Sequence, residues 1–86
     1  MLSLFGKKYK DDEIMLCAEN ALELESMINS SNLIVVSEKG IVKLEGNANS
    51  EREKSRAMDA VLNSLQGARL EFAQIEDHIR VGVVQV

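Results

Sequence analysis

Apolar residues in this chain recur with two different periods, and each change of period marks the edge of an element. Ile14, Cys17, Ala18, Ala21, Leu24, Met27 and Ile28 follow three- and four-residue steps, with Glu19, Glu23 and Ser26 turned the other way. That spacing predicts an amphipathic helix over roughly residues 11 to 29. Asp11-Asp12-Glu13 would sit at its positive dipole end. The polar run Asn29-Ser30-Ser31-Asn32 is rich in residues whose side chains compete for the backbone, so it separates this helix from the first strand.

The period then shortens. Leu33-Ile34-Val35-Val36-Ser37 and Ile41-Val42-Lys43-Leu44-Glu45-Gly46 are dense in β-branched side chains, which suit a pleated, half-buried surface. Gly40 can adopt positive φ without a Cβ clash, so Glu38-Lys39-Gly40 predicts the turn of a hairpin. Alternation puts Val42 and Leu44 on a core face and Lys43 and Glu45 on a wet one.

Ser50-Glu51-Arg52-Glu53 has the form of a capping box, in which the serine hydroxyl accepts from the Glu53 amide and the Glu53 carboxylate reaches back to the Ser50 amide. A second helix should start there, with Ala57, Met58, Val61, Leu62 and Leu65 as its apolar stripe and Gly67 as the left-handed residue that stops it. A last strand runs from about Ile75 to the end of the chain. Ile75, Ile79, Val81 and Val83 share one face of it, and Glu76, His78, Arg80 and Gly82 the other, with Asp77 interrupting the apolar set. The order α-β-β-α-β predicts an α+β two-layer sandwich, two helices covering one face of a three-stranded sheet.

These residues resemble the BON domain, a small bacterial module of periplasmic, outer-membrane and lipoprotein settings. The likeness spans roughly residues 12 to 81. It rests on Leu33-x-Val35, on Gly40-x-Val42-x-Leu44-x-Gly46, on Ser50 leading to Ala57, Ala60 and Val61, on Gly67-Ala68, and on Ile75-x-Asp77-x-Ile79-x-Val81. Two departures stand out: an extra stretch, Arg69 to Ala73, after Gly67-Ala68, and Asp77 where the family commonly has asparagine. The resemblance implies a non-catalytic binding module that associates with phospholipid or with envelope proteins, in a family associated with stress responses, one branch of which responds to potassium ions. It also implies a periplasmic or membrane-associated setting, whereas a full-length chain without a leader would be cytoplasmic.

Length and composition fit one domain, residues 11–86, preceded by an arm at 1–10. A core in 86 residues, 45% of them hydrophobic, buries about 60 to 65% of the unfolded chain's surface. No apolar run approaches the length of a membrane-spanning helix, and Met1 to Phe5 is too short for the apolar region of a secretory signal.

Charge narrows the function classes. The net charge is −4, yet Lys7, Lys8 and Lys10 lie in the arm, leaving seven basic against fourteen acidic residues in 11–86. Such a body repels polyanions, there is no Gly-x-x-Gly loop of the KH kind, and Phe5, Tyr9 and Phe72 are the only aromatics. Nucleic acid is therefore a poor partner.

Catalytic chemistry is equally thin. Cys17, the single cysteine, falls on the first helix's apolar stripe and reads as a buried, inert thiol. His78 faces outward with Glu76, while Asp77 lies on the opposite face, so the three cannot chelate one ion. No catalytic, metal or cofactor residues are assigned, and no enzyme activity is expected.

Two surfaces carry candidate function. Leu4, Phe5, Lys7, Lys8 and Lys10 combine apolar side chains with amines, the pairing that suits an anionic bilayer surface or an envelope protein. Ile79, Val81, Val83 and Val84 belong to a strand of high β-propensity, Ile79 to Val86, with one charge and no proline. At a sheet edge it could pair with a second chain and give a homodimer, making the domain a structural, oligomerising one.

Overall fold

The computed structural model describes residues 8–82. Helix α1 covers Asp11–Leu24, strands β1 and β2 cover Leu33–Glu38 and Ile41–Ala48, helix α2 covers Glu51–Gly67, and strand β3 covers Gln74–Val81. The fold is α+β in the order α-β-β-α-β, with a mixed sheet of order β1-β2-β3. β1 and β2 are antiparallel, and β2 and β3 are parallel. A parallel pair needs a long crossover, and α2 supplies it.

Lys39 and Gly40 form the whole connection between β1 and β2, with φ of 51° and 81°. Two positive φ values make this a type I′ turn, whose twist matches that of the strands. Gly40 is required here for a second reason: a Cβ at this position would lie 2.6 Å from the ring of Tyr9, which rests on the turn.

Val42, Leu44 and Ala48 of β2 enter the core with Val35 of β1 and Ile79 of β3. From above, α1 contributes Ile14, Ala18 and Leu22, and α2 contributes Ala57, Val61 and Leu65. Both triplets step by four residues, so each helix presents a single stripe to the sheet. Ile75, Ile79 and Val81 lie opposite Val42, Gly46 and Ala48, which places them on the helix side as their parity requires.

Four expectations need correction. Helix α1 ends at Leu24, not near residue 29. Leu24 and Met27 are exposed, and the chain turns through Ser30–Asn32 as a short 3-10 segment before β1. Bonds to α2 hold the exit: Arg56 pairs with Glu25 at 3.6 Å, and the Asn29 amide donates to the Glu53 carboxylate at 2.8 Å. That carboxylate also takes the Asn49 amide, so the capping box is only half formed. Ser50 Oγ accepts from Glu53 N at 3.1 Å as expected, while the Glu53 carboxylate reaches past Ser50 to the amides of Asn49 and, across the fold, Asn29.

Third, Gly67 is the last residue of α2 and does not stop it. Arg69 does, at φ 58°. Its amide donates to Gln66 O and that of Leu70 to Leu65 O, the paired bonds of a Schellman motif with an arginine in the left-handed position. Leu70 packs against the buried core, the apolar burial that commonly accompanies that motif. Fourth, Cys17 is half-buried and not enclosed; its Sγ lies 2.8 Å from Ser64 Oγ, joining the two helices.

Candidate functional site

The most developed constellation lies at the hairpin end of the sheet. Asp11 opens α1, and its carboxylate does more than oppose the helix dipole. Oδ1 accepts from Ser37 Oγ at 2.6 Å and Gly40 N at 3.0 Å, and Oδ2 accepts from Lys39 N at 2.8 Å. A type I′ turn presents two amides on its convex side, and the carboxylate caps both while satisfying Ser37, the buried polar residue of β1. The Ser37 hydroxyl, and then the Gly40 amide, hold the Asp11 carboxyl below its ordinary range.

This contact fixes the start of α1 against the turn, and with it Tyr9 on Gly40. From the other side, Ala73 N donates to Gly40 O at 2.7 Å, drawing the α2–β3 connection to the same place. Lys8, Tyr9, Lys10, Arg69, Leu70 and Glu71 consequently line one cleft of about 260 Å³. Two lysines from before α1 and one arginine from after α2 thus share a cleft with Tyr9 and one carboxylate, Glu71, in an otherwise acidic protein. Sequence reasoning singled out Lys8 and Lys10 but missed Arg69, because nothing local to the extra stretch Arg69 to Ala73 indicates that it returns to the hairpin. Leu4, Phe5 and Lys7 lie outside the described residues.

The second expected surface is divided. β3 is an edge strand, with Ile79 buried and Val81 half-buried on the helix side. Val83 and Val84 lie outside the described residues. Gly82 N donates to Ala48 O, so in this parallel ladder the even-numbered amides of β3 point at β2 and the odd-numbered ones at the open edge. One of these outward amides, that of Ile79, is taken by Asp77 Oδ1 at 3.0 Å. Asp77 also pairs with Lys54 of α2 at 3.1 Å. Asp77 therefore interrupts the apolar parity for a reason: it caps its own strand edge.

On the outer face of the sheet, Gln74, Glu76 and His78 form a polar row along β3. Glu76 accepts from Gln74 Nε2 and lies 2.9 Å from His78 Nε2, contacts that hold its carboxyl below the ordinary range, the histidine contributing more. Among the described residues no three His, Cys, Asp or Glu side chains gather as a metal site would require. A broader groove of about 670 Å³ runs along α2, where Arg52 and Arg56 alternate with Glu25, Glu51 and Asp59. Its charges largely neutralise one another. Among the described residues no helix is long and apolar enough to cross a membrane.

A family model, BON domain, matches residues 11–83. The chain belongs to the BON domain family. No curated protein matches it. Membership points to a non-catalytic binding module. The family's Gly40-x-Val42-x-Leu44-x-Gly46 pattern acquires physical content here. Val42 and Leu44 have no exposed surface, Gly40 lies beneath Tyr9, and a Cβ on Gly46 would fall 2.0 Å from the Asn32 carbonyl oxygen.

Proposed function

We propose that this BON domain docks on anionic phospholipid surfaces through the cleft between its N-terminal segment and the α2–β3 connection. The observation that carries this reading is the convergence of Lys8, Lys10 and Arg69 in one cleft with Tyr9, three cations against the single carboxylate of Glu71. In a chain with seven basic and fourteen acidic residues after residue 10, a local cluster of cations orients the whole molecule toward a negative surface. Each contributes about 1 kcal/mol near an anionic leaflet, so the three together give weak, salt-sensitive association. Lys7 adds a fourth amine, and Leu4 and Phe5 supply the apolar part that turns surface contact into shallow insertion.

Flotation with neutral vesicles and with vesicles containing phosphatidylserine or phosphatidylglycerol tests the reading. The domain should float only with anionic vesicles, and less so as salt rises. The triple variant Lys8→Glu, Lys10→Glu, Arg69→Glu should stay at the bottom of the gradient. Flotation of that variant, or equal flotation with neutral lipid, would overturn the proposal.

A second reading, self-association through Ile79, Val81, Val83 and Val84, has one observation in its favour, the edge position of β3. Against it, Asp77 already occupies the Ile79 amide. Sedimentation equilibrium of the wild type and of Val84→Pro decides between a dimer that proline breaks and a monomer.

A further inference from the structure

The other edge of the sheet is differently made. A two-residue type I′ hairpin makes Glu38 and Ile41 a mutually hydrogen-bonded pair, and alternation from there turns the amides of Leu33, Val35 and Ser37 away from β2. The Leu33 amide is taken by Ser30 O, where the 3-10 segment closes. Among the described residues, nothing takes the amides of Val35 and Ser37. β1 has no counterpart of Asp77: its residues are Leu33, Ile34, Val35, Val36, Ser37 and Glu38, with one charge, at the end of the strand.

Beside this edge, between α1 and β1, runs a groove of about 290 Å³ with an apolar floor of Leu22, Leu33 and Val35 and a rim of Glu19 and Glu23. Among the described residues no lysine or arginine lines it. On the opposite face of the same strand Ile34 is 58% exposed, with Val36 beside it half-buried. An open strand edge therefore has an acidic, partly apolar helix flank on one side and an apolar strip on the other.

We infer that the β1 edge binds an extended segment of a partner protein in which basic and apolar residues alternate, added to the sheet as a fourth strand. Main-chain bonds to Val35 and Ser37 supply affinity that does not depend on the partner's side chains, and the two faces supply selectivity. Partner residues opposite Val35 and Ser37 direct their side chains under α1. There a lysine or arginine lays its methylenes on Leu22 and Val35 and brings its charge to Glu19 and Glu23. The residues between them face outward beside Ile34 and Val36, where an apolar side chain forms the favourable cross-strand pair. A second copy of this chain fits less well, because pairing β1 with β1 brings the Glu19 and Glu23 rims of two α1 helices together. The inference stands apart from membrane docking, which uses the cleft at the hairpin end.

The test is an NMR titration of the isotopically labelled chain with a short capped peptide of alternating lysine and valine. Three controls accompany it: the same peptide with glutamate for lysine, the same peptide N-methylated at alternate amides, and sedimentation of the protein alone. The Val35 and Ser37 amides should shift and their exchange with solvent should slow. The doubly reversed variant Glu19→Lys, Glu23→Lys changes only exposed side chains, so it should fold and bind about tenfold more weakly. The N-methylated peptide should not bind. The inference is overturned if millimolar peptide leaves Val35 and Ser37 unmoved, or if the glutamate or N-methylated peptide binds as well as the parent. It is also overturned if the protein alone forms a dimer that protects these two amides.

Discussion

Replacing Gly46 with alanine should be among the most damaging single-methyl changes available in this domain. Gly46 sits inside β2 opposite Leu33, at φ 120°, a conformation that costs an L side chain about 1 to 2 kcal/mol or more. The added Cβ would also lie 2.0 Å from Asn32 O and 3.1 Å from Leu33 Cα, and both are main-chain atoms that no rotamer change can move. Relief requires the Asn32–Leu33 peptide to back away. That movement strains the bond from Leu33 N to Ser30 O and the pairing at the start of β1. Overpacking of this kind costs about 1 to 3 kcal/mol, so the total comes to about 4 kcal/mol. A domain of this size is stable by about 4 to 13 kcal/mol, so the variant should be marginal, with Tm lowered by about 15 °C or more. Gly67→Ala is the internal control. Gly67 ends α2 with nothing within 4 Å of its Cβ position, and alanine there should stabilise by about 0.5 to 1 kcal/mol. Urea unfolding followed by circular dichroism measures both. A loss below about 1 kcal/mol for Gly46→Ala, or an equal loss for Gly67→Ala, would refute the argument from close approach.

Three further outcomes are expected. Leu44→Ala, at a position with no exposed surface, should cost about 2 to 4 kcal/mol in the same assay, and so should Val61→Ala. Glu53→Ala should cost about 1 to 2 kcal/mol and speed hydrogen exchange at the Asn29 and Asn49 amides, because one carboxylate accepts from both. Asp11 is held below its ordinary pKa in the folded state, so its contribution to stability is present above the unfolded value near 3.8 and is lost as pH falls through the folded one. Asp11→Asn should therefore flatten the acid limb of the stability profile, with little change in its slope above about pH 6. An acid limb identical to that of the wild type would show that the Asp11 carboxylate does not stabilise the hairpin turn.

The division between local and global information falls along identifiable residues. Sequence alone determined that there are two helices and three strands, their order, and the faces they bury, because each of those rests on groups within a few positions of one another. The four-residue steps of Ile14, Ala18 and Leu22, the hydroxyl of Ser50 above the Glu53 amide, and Gly40 at a tight reversal are all short-range chemistry. It also carried the family, since the glycines and apolar positions of Gly40 to Gly46 are the ones that the turn and the core require.

Tertiary structure decided everything that depends on groups distant along the chain. Helix α1 stops at Leu24 although its apolar steps continue, because Glu53 and Arg56 of α2 hold the segment after it. Asp11 reads from sequence as a dipole charge and serves as the cap of a turn that begins 28 residues later. Arg69 joins Lys8 and Lys10 only because Ala73 binds the Gly40 carbonyl. The edge strands β1 and β3 differ because Asp77 folds back on Ile79 while the amides of Val35 and Ser37 have no such neighbour among the described residues. Such pairings leave no periodic trace, because a carboxylate or an arginine is equally at home in water, and only the packed sheet determines which amide or cleft it meets.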